Sequence, residues 1–132
     1  MITFPALRAG TNPEKYTLVA VSTRSSESAI AAATKYGDIL QREVTPYHGD
    51  PSQLVNDPDV DVVGISVKTV DHEKVMGHVL KAGKPFYLEW PAGCGSEETK
   101  EFARIAAEKG IKHMIGLQDR QNPFINKVRS LF

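Results

Sequence analysis

Cysteine is nearly missing from this 132-residue chain, in which Cys94 stands alone. That excludes an intrachain disulfide and a cysteine-built metal site, and it fits a reducing, cytoplasmic setting. A charge excess is missing as well: Lys plus Arg and Asp plus Glu each number 16, for a formal net charge of +0. With no global field and no local basic run, neither nucleic acid nor a membrane surface is an expected partner. No apolar stretch approaches the ~20 residues that span a bilayer. Met1 to Gly10 lacks the charged start and long apolar core of a signal peptide. His48, His78 and His113 show no ligand spacing with one another or with Cys94, so no metal is expected. Gly-x-Ser-x-Gly, phosphate-loop and zinc motifs are absent, and no internal repeat occurs.

What is present is an alternation of β-branched runs and amphipathic segments over one domain, residues 1–132. Thr17 to Thr23 and Val60 to Ser66 are short and apolar on both faces, the pattern of buried parallel strands. Pro85 to Glu89 and Lys112 to Gly116 are two further strands, and Val44 to Tyr47 is a weaker one. Between them lie helical segments. One is capped by Ser25 or Ser26 and ends at Gly37; a short one opens at Asp50-Pro51. His72 to Ala82 is capped by Asp71 and stopped by Gly83, and another helix runs from Ser96 to Gly110. A last one begins at Asn122-Pro123, with Phe124, Ile125, Val128, Leu131 and Phe132 at helical spacing. Strand alternating with helix predicts an α/β fold with a parallel sheet and right-handed crossovers.

In open α/β sheets ligands bind at the C-terminal ends of strands, so the polar residues there are the candidates. Glu89 ends one strand beside Trp90 and Pro91. Its carboxylate suits general acid–base work or an ion pair with Lys68 or Arg120. His72 follows the strand ending at Ser66 and is either an acid–base partner of Glu89 or a packed helix residue. Tyr87 shares a strand with Glu89. Asp119 and Arg120 follow the last strand, as a ligand-facing or a solvated pair.

Several ordered segments resemble one family. Asp57-Pro58-Asp59-Val60-Asp61-Val62-Val63, the helix from His72, Lys81-Ala82-Gly83-Lys84 and Glu89-Trp90-Pro91 follow the glucose-fructose oxidoreductase/inositol dehydrogenase family in order and spacing. Within it, Glu89-Trp90 and the run Leu117 to Pro123 resemble the fungal galactose-regulon repressor type, a non-catalytic branch. The resemblance implies a Rossmann-like domain that binds NAD or NADP, with a histidine near His72 beside the nicotinamide. It places Thr23 where an acid meets the adenosine ribose, and Thr23-Arg24 is similar to the arrangement that accepts a 2′-phosphate. Three departures set the expectations. The family's first strand and glycine fingerprint are absent. Its catalytic lysine is Trp90, whose indole N–H only donates. The substrate domain that should follow is absent too.

The chain is therefore expected to be a redox-inactive remnant that binds no cofactor, with NADP or NAD as the exception. It is expected to hold a small-molecule ligand or a regulatory protein partner around Lys68, His72, Tyr87, Glu89, Trp90, Asp119 and Arg120. The rivals are a non-redox lyase, isomerase or cyclase using Glu89 and His72, and a gene fragment. The missing first strand leaves a hole between Thr17–Thr23 and Val60–Ser66. Direct pairing of those two strands is the simplest repair, residues near Met1 to Phe4 or a second chain being the others. A homodimer through the final helix or the strands beside the hole follows from the same argument.

Overall fold

A computed structural model describes residues 16–117 and 122–131. Its elements alternate: β1 (Ala20–Thr23), α1 (Ser26–Leu40), β2 (Thr45–His48), α2 (Ser52–Asn56), β3 (Val63–Ile65), α3 (His72–Ala82), β4 (Phe86–Glu89), α4 (Ser96–Glu108), β5 (His113–Gly116) and α5 (Pro123–Arg129). A 3₁₀ turn, Thr69–Asp71, leads into α3. All strand pairs are parallel. The expected Rossmann-like α/β class stands.

Local chemistry accounts for most boundaries. Ser25 caps α1 in a reciprocal box with Ser28, and Gln41 ends that helix in the left-handed region at φ 52°. Gly83 ends α3 with φ 70°, a conformation glycine adopts without strain. One expected cap holds its place and one is corrected. Asp71 is the N-cap of α3 but makes no side-chain cap bond, because its backbone is already helical in the 3₁₀ turn. Ser96 is the first residue of α4 rather than its cap, which is Gly95. There Glu98 folds back to accept the Cys94 N–H at 2.9 Å.

Pairing divides the strands into two sheets, β1–β2 and β3–β4–β5. Direct pairing of β1 with β3, the expected repair, does not occur. The bonds Thr45 N–H to Val19 O and Gly49 N–H to Thr23 O turn the odd-numbered residues of β1 toward β2. Ala20 and Ser22 therefore present their backbone groups at the opposite edge. By the same alternation, Val63 bonds toward β4 through Pro85 O, and Gly64 presents its groups at the free edge of β3. Side chains join the sheets instead. Ala20 lies in one core cluster with Leu54 and Val55 of α2 and with Val63, Ile65, Met76, Val79, Phe86, Leu88 and Phe102. A second cluster, Leu18, Val21, Ala33 and Val44, fixes α1 on the first sheet. Residues near Met1 to Phe4 lie outside the described residues.

Candidate functional site

The site grows out of strand register. Val63, Gly64 and Ile65 align with Phe86, Tyr87 and Leu88, and β5 continues the rows, with Glu89 opposite Gly116. One face, Val63, Ile65, Phe86 and Leu88, is buried in the core shared with α3 and α4. The other carries Gly64, Tyr87, Glu89, Met114 and Gly116. Extending the register by one residue sets Ser66 beside Glu89.

The contact forms: the Ser66 hydroxyl donates to Glu89 Oε2. A hydroxyl donating to a carboxylate is a charge-assisted bond, stronger than a neutral one. Ser66 was not singled out from the sequence. Its signal was legible there, as the polar residue closing an apolar run just as Glu89 does, but only the register joins the two.

Trp90 follows directly. It is 60% exposed, and the Trp90–Pro91 peptide is cis. Val70, in the 3₁₀ turn after β3, is 74% exposed, and Leu117, just past β5, is 49% exposed. An exposed indole and an anchored carboxylate thus stand at the C-terminal end of β4.

His72 is placed differently from its neighbours. It is 1% exposed, with Nδ1 at 3.1 Å from Ala92 O and Nε2 at 3.3 Å from Val67 O. Carbonyl oxygens only accept, so a neutral ring closes one of these bonds and a protonated ring closes both. His72 thereby bridges the loop after β3 to the loop after β4. Lys68 is exposed on the first of those loops. Tyr87 is half-buried and lies across β5: a Cβ on Gly116 would fall 1.9 Å from its hydroxyl oxygen. Asp119 and Arg120 lie outside the described residues.

At the end of β1, Thr23 is engaged locally. Its Oγ1 donates to Ser25 O at 3.0 Å and lies 2.6 Å from Ser28 Oγ. Arg24 is exposed beside it. A dinucleotide needs glycine-rich backbone at a helix N-terminus to cradle its pyrophosphate. Among the described residues no such turn stands at the free edges of β1 and β3, and Ser25 already takes the Ser28 N–H of α1. The described residues do not make that cradle.

Among the described residues, no cluster of His, Cys, Asp or Glu is arranged to hold a metal, and no helix is long and apolar enough to cross a membrane. A groove of about 570 Å³ lies beside Thr34, Gln41, Arg42 and Pro46. It sits at the N-terminal end of β2, the opposite end from the strand termini that bind ligands in such sheets.

Comparison with known proteins agrees with the fold. A profile described as an oxidoreductase family with an NAD-binding Rossmann fold matches residues 2–117. A dehydrogenase of Aspergillus oryzae, AclE, is 39% identical over 118 residues, covering 89% of this chain and 31% of its own. The galactose/lactose metabolism regulatory protein GAL80 of Saccharomyces cerevisiae is 26% identical over 78 residues, covering 54% of this chain and 18% of its own. Among solved structures, the 3-ketoreductase KijD10 of Actinomadura kijaniata, in complex with TDP-benzene and NADP, superposes with a TM-score of 0.75 at 23% identity. That match covers 86% of this chain and 34% of the ketoreductase. The chain thus spans about a third of the length of the dehydrogenase and of the ketoreductase.

Proposed function

Because the chain belongs to the oxidoreductase family with the NAD-binding Rossmann fold, we propose that it binds a small organic molecule at the family's strand-end site without transferring hydride. The observation that carries this reading is the pair Glu89-Trp90: a carboxylate held by Ser66, then an indole 60% exposed where the resemblance puts a catalytic lysine. An indole cannot exchange a proton near neutral pH, but its face is a good surface for a ring to stack on. Glu89 supplies an acceptor for a hydroxyl of the same ligand, and Val70 and Leu117 supply apolar walls. On this reading we assign no resident cofactor. Thr23 and Arg24 would meet the adenosine side if NADP bound at all.

The test is a thermal-shift panel of NAD, NADP, myo-inositol and catechol on the wild-type protein and on Trp90→Ala. A ligand present at a hundred times its dissociation constant adds about 2.7 kcal/mol of stability, which a melting curve resolves.

The anchored carboxylate also favours a second reading, a non-redox lyase, isomerase or cyclase in which Glu89 moves the proton. Glu89→Gln then removes turnover while leaving the melting temperature nearly unchanged; equal turnover in the variant would discard that role. His72 enters this reading as the group that fixes the loops around Glu89. The proposal extends to assembly. Val128 at 36% and Leu131 at 69% are exposed at the end of the chain, and we assign them to contact with a second copy or a regulatory protein.

A further inference from the structure

Two contacts tie the same pair of loops together on either side of one residue. Before Trp90, the Ser66 hydroxyl holds Glu89. After it, His72 Nδ1 lies 3.1 Å from the carbonyl of Ala92, while Nε2 meets Val67 O at 3.3 Å. Ser66 and Val67 are consecutive at the end of β3; Glu89 and Ala92 bracket Trp90 at the end of β4. Leu88 at 1% and Ala92 at 4% are buried, whereas Trp90 between them is 60% exposed.

We infer that Ser66 and His72 are paired positioning residues that hold the Glu89 carboxylate on one side of Trp90 and the Ala92 carbonyl on the other, so that the loop carrying the indole is pre-set for the flat face of a ligand. The physical case is entropic. An exposed aromatic on a loose loop samples many orientations, and a ligand must freeze them on binding. Holding the loop beforehand removes that cost, which is worth roughly two- to tenfold in affinity for one immobilised side chain. The alternative use of an exposed indole, filling the core, is ruled out by its exposure. Both ring nitrogens of His72 face loop carbonyls and the Ser66 hydroxyl is given to Glu89, so both act through Trp90 and its neighbours rather than on a ligand. This inference rests on the reading that the strand ends bind a ligand, yet it can be tested with none present.

Trp90 is the one tryptophan in the chain, so its fluorescence reports this position alone. The experiment is time-resolved anisotropy of Trp90 emission in the ligand-free protein, below the melting temperature of every variant. The wild-type indole should depolarise with the tumbling of the whole molecule. Ser66→Ala and His72→Ala should each add a fast picosecond-to-nanosecond component, the range of free side-chain motion, and Ser66→Thr should suppress it again. Thr34→Ala, on the far side of α1, should leave the decay unchanged. If His72→Ala does not fold, Ser66→Ala and its threonine rescue carry the test. A fast component already present in wild type, or identical decays in wild type and Ser66→Ala, would overturn the inference. Either result leaves the ligand panel to stand or fall separately.

Discussion

At the scale of single residues, hydrogen bonds to loops do more here than ion pairs. The ion pairs of α4, such as Arg104 with Glu101 and Glu108, are exposed and contribute little. Tyr47 is different. Its hydroxyl donates to Asp57 Oδ2 at 2.9 Å, while Lys84 Nζ donates to the carbonyls of Asp57 and Val60. Together they pin the loop that delivers β3. The bond to Asp57, then burial, then the charges of Asp57 and Asp59 raise the phenol above its usual range. A raised folded value means stability present in full below the unfolded phenol value, about 10, and lost as pH rises through the folded one. Tyr47→Phe should therefore cost about 1 kcal/mol at neutral pH, with the gap to wild type closing in alkali. Urea melts across pH check this; a gap that widens above pH 10 would contradict it.

At the scale of elements, β4 is the organising strand, flanked on both sides and ending in the candidate site. Its Tyr87 occupies the space above Gly116 so closely that an added Cβ would sit 1.9 Å from the hydroxyl oxygen and 2.4 Å from Cζ. Gly116→Ala should displace the ring and cost about 1–3 kcal/mol, the usual penalty of overpacking; an unchanged denaturation midpoint would show that Tyr87 swings away freely. The elements themselves were largely legible in the sequence. Val63, Ile65, Phe86 and Leu88 lie in β-branched or aromatic runs too short for helices, and Met76, Val79 and Leu80 recur at helical spacing. What was not legible depends on register and loop path. Nothing in sequence spacing pairs Ser66 with Glu89, 23 positions away, or sends both nitrogens of His72 to carbonyls on two different loops. The caps were less legible: the 3₁₀ turn ahead of α3 leaves Asp71 in place without a side-chain bond, and α4 takes Gly95 as its cap with Ser96 inside the helix, local backbone geometry that composition does not encode.

At the scale of the whole molecule, two parallel sheets share one core without sharing a hydrogen-bond ladder among the described residues. This arrangement retains the family's strand-end surface while lacking, among the described residues, the turn that holds a pyrophosphate. It also leaves Val128 and Leu131 exposed. We expect self-association through that end of the chain, so sedimentation at micromolar concentration should give a dimer that Leu131→Asp dissociates; a monomer in both would remove the dimer. The most direct measurement of the central claim is the thermal-shift panel on wild type and Trp90→Ala. The account predicts that catechol or myo-inositol raises the wild-type melting temperature, that the rise disappears in Trp90→Ala, and that NAD and NADP raise neither. A rise with NAD or NADP, or a ring-compound rise that survives the loss of Trp90, would contradict it.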